Sequence, residues 1–127
     1  KPILMQPRPD GKLKIDKVFA VMDCGWYVNP DIVRAQVEGS KVMAYGAAAV
    51  HETHFADGKA VETNFHQYKM PRITDIPEIE VHIMENEEKP GGVGEPGLPP
   101  FAPALCNAIF DLTGKRIRKL PFNIDEI

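Results

Sequence analysis

The stretch from residue 91 to residue 100, GGVGEPGLPP, holds four glycines and three prolines in ten residues. Glycine loses the most conformational freedom in regular structure, and proline lacks the amide proton that a helix interior or a central strand needs. No regular element runs through such a stretch. The chain is therefore cut in two, a longer part of mixed pattern before the loop and a short apolar pattern after it, and the parts must meet across irregular backbone. One ionisable group, Glu95, sits inside the loop.

Ahead of the loop, LKIDKVFAVMDCG starts half-alternating and turns continuously apolar from Val18 to Met22, which predicts a strand entering a buried position. Asn29-Pro30-Asp31 predicts a helix start: Asn caps, Pro fits the first helical position and Asp complements the positive helix end. That helix is expected to run to about Val50. Asp57-Gly58 between two β-prone runs predicts a tight hairpin. In PEIEVHIM, Ile79, Val81 and Ile83 alternate with Glu78, Glu80 and His82, as in a strand with one wet face. Beyond the loop, Leu105, Ile109 and Leu112 form one helical stripe, and Gly114 closes it as a C-cap. The sum is one α+β domain over residues 1–127, with a mostly antiparallel sheet and two main helices.

The 127 residues, 43% of them hydrophobic, suffice for one modest core. A formal charge of -3 without a basic stripe gives no grip on nucleic acid and no polybasic membrane patch, so neither partner is expected. No apolar run approaches the roughly 18 residues of a membrane-spanning helix, and no signal-peptide pattern opens the sequence. The opening KPILMQ lacks an initiator methionine, as expected of a piece of something longer. Cys24 and Cys106 form neither a CxxC pair nor a zinc motif, so two reduced, buried cysteines are expected.

Gln36, Gly39, Met43 and Gly46 share one face of the first predicted helix. Glycine in a helix interior costs about 1 kcal/mol against alanine, so two on one stripe signal something close to the backbone. Either another element of the domain covers that face, or a ligand lies against it with Gln36 supplying hydrogen bonds. His51 and His54 lie three apart in an expected strand, so unlike the pair of HExxH they leave opposite faces. His66 and His82 have no partner at ligand spacing, and no metal held by this chain's side chains is predicted.

Within the loop, glycines at 91, 92 and 94 let backbone N–H groups approach an anion or a polar cofactor edge, while Pro96 pushes Glu95 towards an extended conformation. A carboxylate aimed in this way, poorly solvated and just ahead of a helix, suits a general base. The alternative is a strand-to-helix connector whose glutamate is simply exposed. No nucleotide-binding reading is drawn from the loop.

DCGWYVNPDIVRAQVEGSKVMAYGAAAVHE, NFHQYKMPR, PEIEVHIM and GGVGEPGLPPFAPALCNAIFDLTGKRIRKLPF, in that order, resemble the C-terminal region of the molybdenum-binding large subunit of the xanthine dehydrogenase and aldehyde oxidase family. The resemblance runs from about Val18 to Phe122, is strongest to bacterial isoquinoline 1-oxidoreductase-type subunits, and covers only the last part of a much longer subunit. It implies that Glu95, the glutamate of the GxGEP loop, is the catalytic base. It also implies that Gln36, from the QVEG motif, lies with the backbone of Gly92, Val93 and Gly94 at a molybdopterin cofactor in its cytosine dinucleotide form. The implied reaction takes a proton from a metal-bound hydroxyl and delivers the water-derived oxygen to a carbon of an aldehyde or N-heterocycle. Electrons then leave through iron–sulfur clusters elsewhere, since this chain has no cysteine set for one.

The implied partners are the remaining domains of the same subunit, an iron–sulfur subunit or domain and a small-molecule substrate. The implied setting is bacterial, with cytoplasm and periplasm both open. Tyr45 stands where many family members carry a small residue, and His51 replaces a common acidic or apolar one, so the resemblance does not fix the substrate-side contacts. Because the other cofactor-binding segments of the family lie outside these 127 residues, the chain alone is expected to hold no cofactor and to be inactive. A stand-alone binding or assembly module without catalysis is the second reading; the length of the native reading frame discriminates the two.

Overall fold

The structure is a computed structural model that describes residues 2–127. Strand β2 (Leu13–Met22) lies at the centre of a three-stranded sheet. Its inward residues change phase, from Leu13 and Ile15 to Val18, Ala20 and Met22. A bulge causes the change: β1 (Ile3–Pro7) pairs antiparallel with β2, and its Leu4 and Met5 face Lys17 and Ile15, so Asp16 has no opposite number. This explains why the sequence of β2 reads as only half-alternating.

On its other side β2 pairs in parallel with the last strand of the sheet, residues Glu78–Ile83, whose Val81 is buried while His82 faces out. Parallel neighbours need a crossover. Here it contains α1 (Pro30–Ala49) and a small antiparallel hairpin, β3 (Phe55–Ala56) and β4 (Lys59–Ala60). The parallel strand Glu78–Ile83 is thus β5, and α2 (Phe101–Thr113) follows it. The chain is the expected α+β domain with two main helices and mostly antiparallel pairing, β2–β5 being the parallel exception. No described helix is long and apolar enough to cross a membrane.

The local signals explain where these elements begin and end. Asn29 is extended and its Oδ1 accepts from the Asp31 N–H at 2.9 Å, with Pro30 opening the helix. Asp57 and Gly58 have φ of 51° and 73°, the two positive values that a type I′ hairpin demands. Gly114, at φ 74°, ends α2 and donates to the Phe110 carbonyl at 2.7 Å.

Two apolar clusters hold the layers together. Ile3, Leu13, Ile15 and Val18 of the sheet pack against Ala44, Tyr45 and Ala48 of α1 and Phe101, Leu105 and Ile109 of α2. Ala20, Met22 and Val81 pack against Cys24, Val33 and Val37. The stripe of α2 therefore runs 101, 105, 109, and Leu112, expected on the buried stripe, is 43% exposed. A position three residues past Ile109 turns outward here because the sheet covers only the narrow side of the helix reached by four-residue steps. Both cysteines are free; Cys24 is buried, whereas Cys106 is only half-buried, and burial pushes its thiol up.

Truncating the residues that face the sheet tests this packing. Leu105→Ala and Ile109→Ala should each destabilise the fold by about 2–5 kcal/mol, whereas Leu112→Ala should stay within about 0.5 kcal/mol. Denaturant unfolding of the three variants measures the difference.

Candidate active site

The chain leaving β5 does not wander. It runs beside the segment that leaves β2 and is stitched to it at each step. The Met84 N–H donates to the Met22 carbonyl at 2.8 Å, Asn86 Nδ2 to Asp23 Oδ1 at 2.8 Å, Trp26 N–H to the Glu88 carbonyl at 2.9 Å, and Gly91 N–H to the Cys24 carbonyl at 2.7 Å. The Asn86 amide, helped by the Gly25 N–H, holds the Asp23 carboxyl below the usual carboxylate range. Gly25 makes the close approach possible: its φ is 67°, and a Cβ there would lie 2.2 Å from the Lys89 carbonyl oxygen.

This stitching delivers the glycine-rich loop to α1. Gln36 Nε2 donates to the Gly94 carbonyl at 2.8 Å, and Lys41 Nζ donates to the Gly97 carbonyl. Gly97 is buried so closely against α1 that a Cβ would lie 2.1 Å from Ser40 Oγ. The Leu98 N–H closes the turn on the Glu95 carbonyl at 3.0 Å. Glu95 is thereby flanked by two backbone carbonyls that α1 holds.

Gln36, Gly39, Ser40 and Met43 of α1 and Gly94, Glu95 and Leu98 of the loop line an open cleft of about 310 Å³. Of the residues singled out from sequence, the structure brings Gln36, Gly94 and Glu95 into this cleft. Gly92 is exposed beside it, and Val93 turns its side chain into the cluster around Val33 and Val37. Glu95 is itself exposed, which corrects the expected poor solvation: it stands at a surface, pointing away from the core.

The N–H groups of Gly92, Val93, Gly94 and Glu95 donate to no backbone carbonyl among the described residues, and nothing lies within 4 Å of where a Cβ would stand at Gly39, Gly92 or Gly94. Open backbone donors, two of them on glycines with free space in front, beside an exposed amide fit the polar edge of a pterin or a phosphate. The spacing Gly92-Val93-Gly94-Glu95-Pro96-Gly97 also spells GxGxxG, but the strand ends well before it, at Ile83, and the last glycine packs on Ser40 instead of opening a helix. The strand–turn–helix context of a dinucleotide site is absent.

The small-residue face of α1 divides between the two readings. Its first part, Gln36, Gly39 and Met43, is open. Gly46 is buried under the imidazole of His51, whose ring carbon would meet a Cβ at 2.3 Å and which stacks on Tyr68. His51 and His54 lie outside any strand, β3 beginning at Phe55, so the expected strand geometry is corrected. Tyr45 is buried in the core, which places both departures, Tyr45 and His51, away from the cleft. No group of three His, Cys, Asp or Glu side chains among the described residues is arranged to hold a metal ion.

Lys41 and Ser40 are the residues that sequence reading missed. The available signal was positional: Lys41 falls on the buried stripe Val33, Val37, Ala44, Ala48, where an aliphatic residue is the rule.

Residues 8–77 match the family model described as the molybdopterin cofactor-binding domain. The chain belongs to this family. The matched segment of this molybdopterin cofactor-binding domain contains Gln36 and stops short of Glu95. The chain is 35% identical to isoquinoline 1-oxidoreductase subunit beta of Brevundimonas diminuta, over 90% of this chain and 15% of the relative. It is 33% identical to the molybdenum-binding subunit PaoC of aldehyde oxidoreductase from Escherichia coli K12, over 92% of this chain and 17% of the relative. Among solved structures, aldehyde oxidoreductase from Desulfovibrio desulfuricans ATCC 27774 superposes with a TM-score of 0.76 at 30% identity, covering 91% of this chain and 13% of that one. The resemblance read from the motifs therefore holds, and the chain spans about 15% of the length of the first relative.

One histidine of the domain carries a pH signature. Glu62 receives the His54 backbone N–H at 2.7 Å and its carboxylate meets Nδ1 at 2.7 Å. The hydrogen bond to Glu62, then the charges of Glu62 and Glu52, hold His54 above the usual histidine range. The His54 backbone N–H, then its ring, hold Glu62 below the usual carboxylate range. The contribution of His54 is thus complete below the free histidine value of about 6.5 and fades as pH rises through the folded value; that of Glu62 fades as pH falls through its own. An NMR titration of His54 should find its midpoint above the free value of about 6.5 and see it fall towards that value in Glu62→Gln, where Glu52 still acts; a wild-type midpoint at the free value would contradict the pairing.

Proposed function

We propose that this chain is the part of a molybdenum hydroxylase that supplies the proton acceptor, Glu95, for oxidation of an aldehyde or an N-heterocycle. The observation that carries the reading is the meeting of Gln36, Gly94 and Glu95 in one open cleft, although they are far apart in sequence. The Gln36 side chain and the backbone N–H groups of Gly92, Val93 and Gly94 would hold the molybdopterin, proposed in its cytosine dinucleotide form on the motif resemblance. When bound, that group supplies the redox chemistry and the oxygen atom's activation.

The protein's own contribution is placement and proton transfer. An exposed carboxylate on a clamped backbone accepts a proton at Oε1 or Oε2 without first leaving a buried ion pair, and releases it to water afterwards. The glycines at 92 and 94 keep side chains out of the approach, and Met43 lines the cleft with apolar surface. The remaining domains of the same subunit, an iron–sulfur subunit or domain and the small-molecule substrate would close the cleft. Support for such partners comes from the chain's small share of its relatives and from their names as subunits. The exposure of Glu95 is the one observation that favours the second reading, a binding or assembly module without catalysis.

In the intact, cofactor-loaded protein, Glu95→Gln keeps size and much hydrogen bonding but removes the proton acceptor. Turnover should fall by about 10²- to 10⁴-fold, with molybdenum content unchanged. Near-normal turnover at full metal occupancy would overturn the role assigned to Glu95.

A further inference from the structure

Lys41 is the one buried charged side chain among the described residues, 7% exposed on the stripe that α1 turns to the sheet. An ammonium in such a place is unfavourable unless something compensates it. Desolvation by burial holds its pKa below the usual lysine range. Its hydrogen bond goes to a backbone oxygen, the Gly97 carbonyl, two residues beyond Glu95. On the near side of Glu95, Gln36 Nε2 donates to the Gly94 carbonyl at 2.8 Å.

The loop has few means of its own for holding this shape. Gly94 and Gly97 carry no side chain, and Pro96 has no N–H. The internal bond from the Leu98 N–H to the Glu95 carbonyl, at 3.0 Å, closes one turn but ties it to nothing else. Around Glu95, attachment to α1 comes from Gln36, Lys41 and the contact of Gly97 with Ser40, while Val93 packs at the start of the loop on the cluster of Val33 and Val37. The bond from Lys41 has a charged donor on a largely covered side chain, so it is the stronger of the two.

We infer that Lys41 is a positioning residue for Glu95: its ammonium clamps the Gly97 carbonyl while Gln36 clamps Gly94, so the backbone of the carboxylate is fixed to α1 on both sides. The clamp stands on this geometry alone; its consequence for turnover rests on the proposed role of Glu95. A lysine that merely filled the interior would behave differently when replaced. Replacing a buried charge by an apolar side chain of similar length often leaves a fold as stable or more so, whereas removing a clamp loosens the loop. Stability and loop order then move in opposite directions.

The test is Lys41→Met in the intact protein, with hydrogen exchange read at the Leu98 amide, which closes the turn around Glu95, and at amides of α2 as reference. Exchange at Leu98 should quicken roughly 10- to 100-fold, the worth of a hydrogen bond to a charged group, while exchange in α2 does not quicken and the unfolding midpoint does not fall. In the loaded enzyme kcat should drop about tenfold or more with KM little changed. Where the methionine variant does not fold, Lys41→Gln, which keeps a shorter uncharged donor, should show the same change in smaller measure. Leu98 exchange at the wild-type rate overturns the clamp, as does a rise at Leu98 matched by an equal rise throughout α2. If Leu98 exchange rises but Glu95→Gln leaves turnover intact, the clamp stands and the proton-acceptor role falls.

Discussion

Six parallel pairs, Lys17–Met22 against Glu78–Ile83, set up everything that follows in this chain. Because β2 and β5 point the same way, the segments leaving them travel together, and their backbones go on bonding after the sheet has ended. The run from Met84 to Gly91 follows Met22 to Trp26 as an extension of the ladder without its regularity. An antiparallel β5 would send its continuation to the opposite end of the sheet, and the glycine-rich loop would never meet α1. The proposed chemistry therefore depends on a strand direction decided well before the loop is reached.

Helix α1 uses two faces for two tasks. Val33, Val37, Ala44 and Ala48 pin it to the sheet and to α2. A second face, with Gln36, Gly39 and Met43, stays open as one wall of the cleft. Lys41 reaches from the first face under the loop to Gly97, so one helix both anchors the loop and borders the space above it. The two helix glycines differ accordingly: Gly46 is needed because His51 presses on it, while no described residue lies within 4 Å of where a Cβ of Gly39 would stand.

The features legible in the sequence are those decided within a few residues. Asn29-Pro30-Asp31, Asp57-Gly58 and Gly114 each act through a local dihedral or cap preference, and each lies where its chemistry puts it. Gln36 and Glu95 were legible as residues of interest, one by its thin helix face and one by its loop. Strand β1 was not, because ILMQP ends in a proline and owes its existence to pairing with β2. Nor was the direction of β5, since alternation with one wet face is the habit of antiparallel strands. The bulge at Asp16, the outward turn of Leu112 and the packing of His51 on Gly46 likewise belong to tertiary contact. The partner of Lys41 was hidden for the same reason: it is a backbone carbonyl, which leaves no mark in a sequence.

On the proposed reading, the α1–loop cleft faces the reacting cofactor. A crystal structure of the intact protein with molybdopterin bound tests it most directly. The cofactor should lie against Gln36 and Gly94, with the Glu95 carboxylate turned towards it and the Gly94 and Gly97 carbonyls still held by α1. Cofactor bound on another face of this domain, with the cleft filled by protein, would contradict the account.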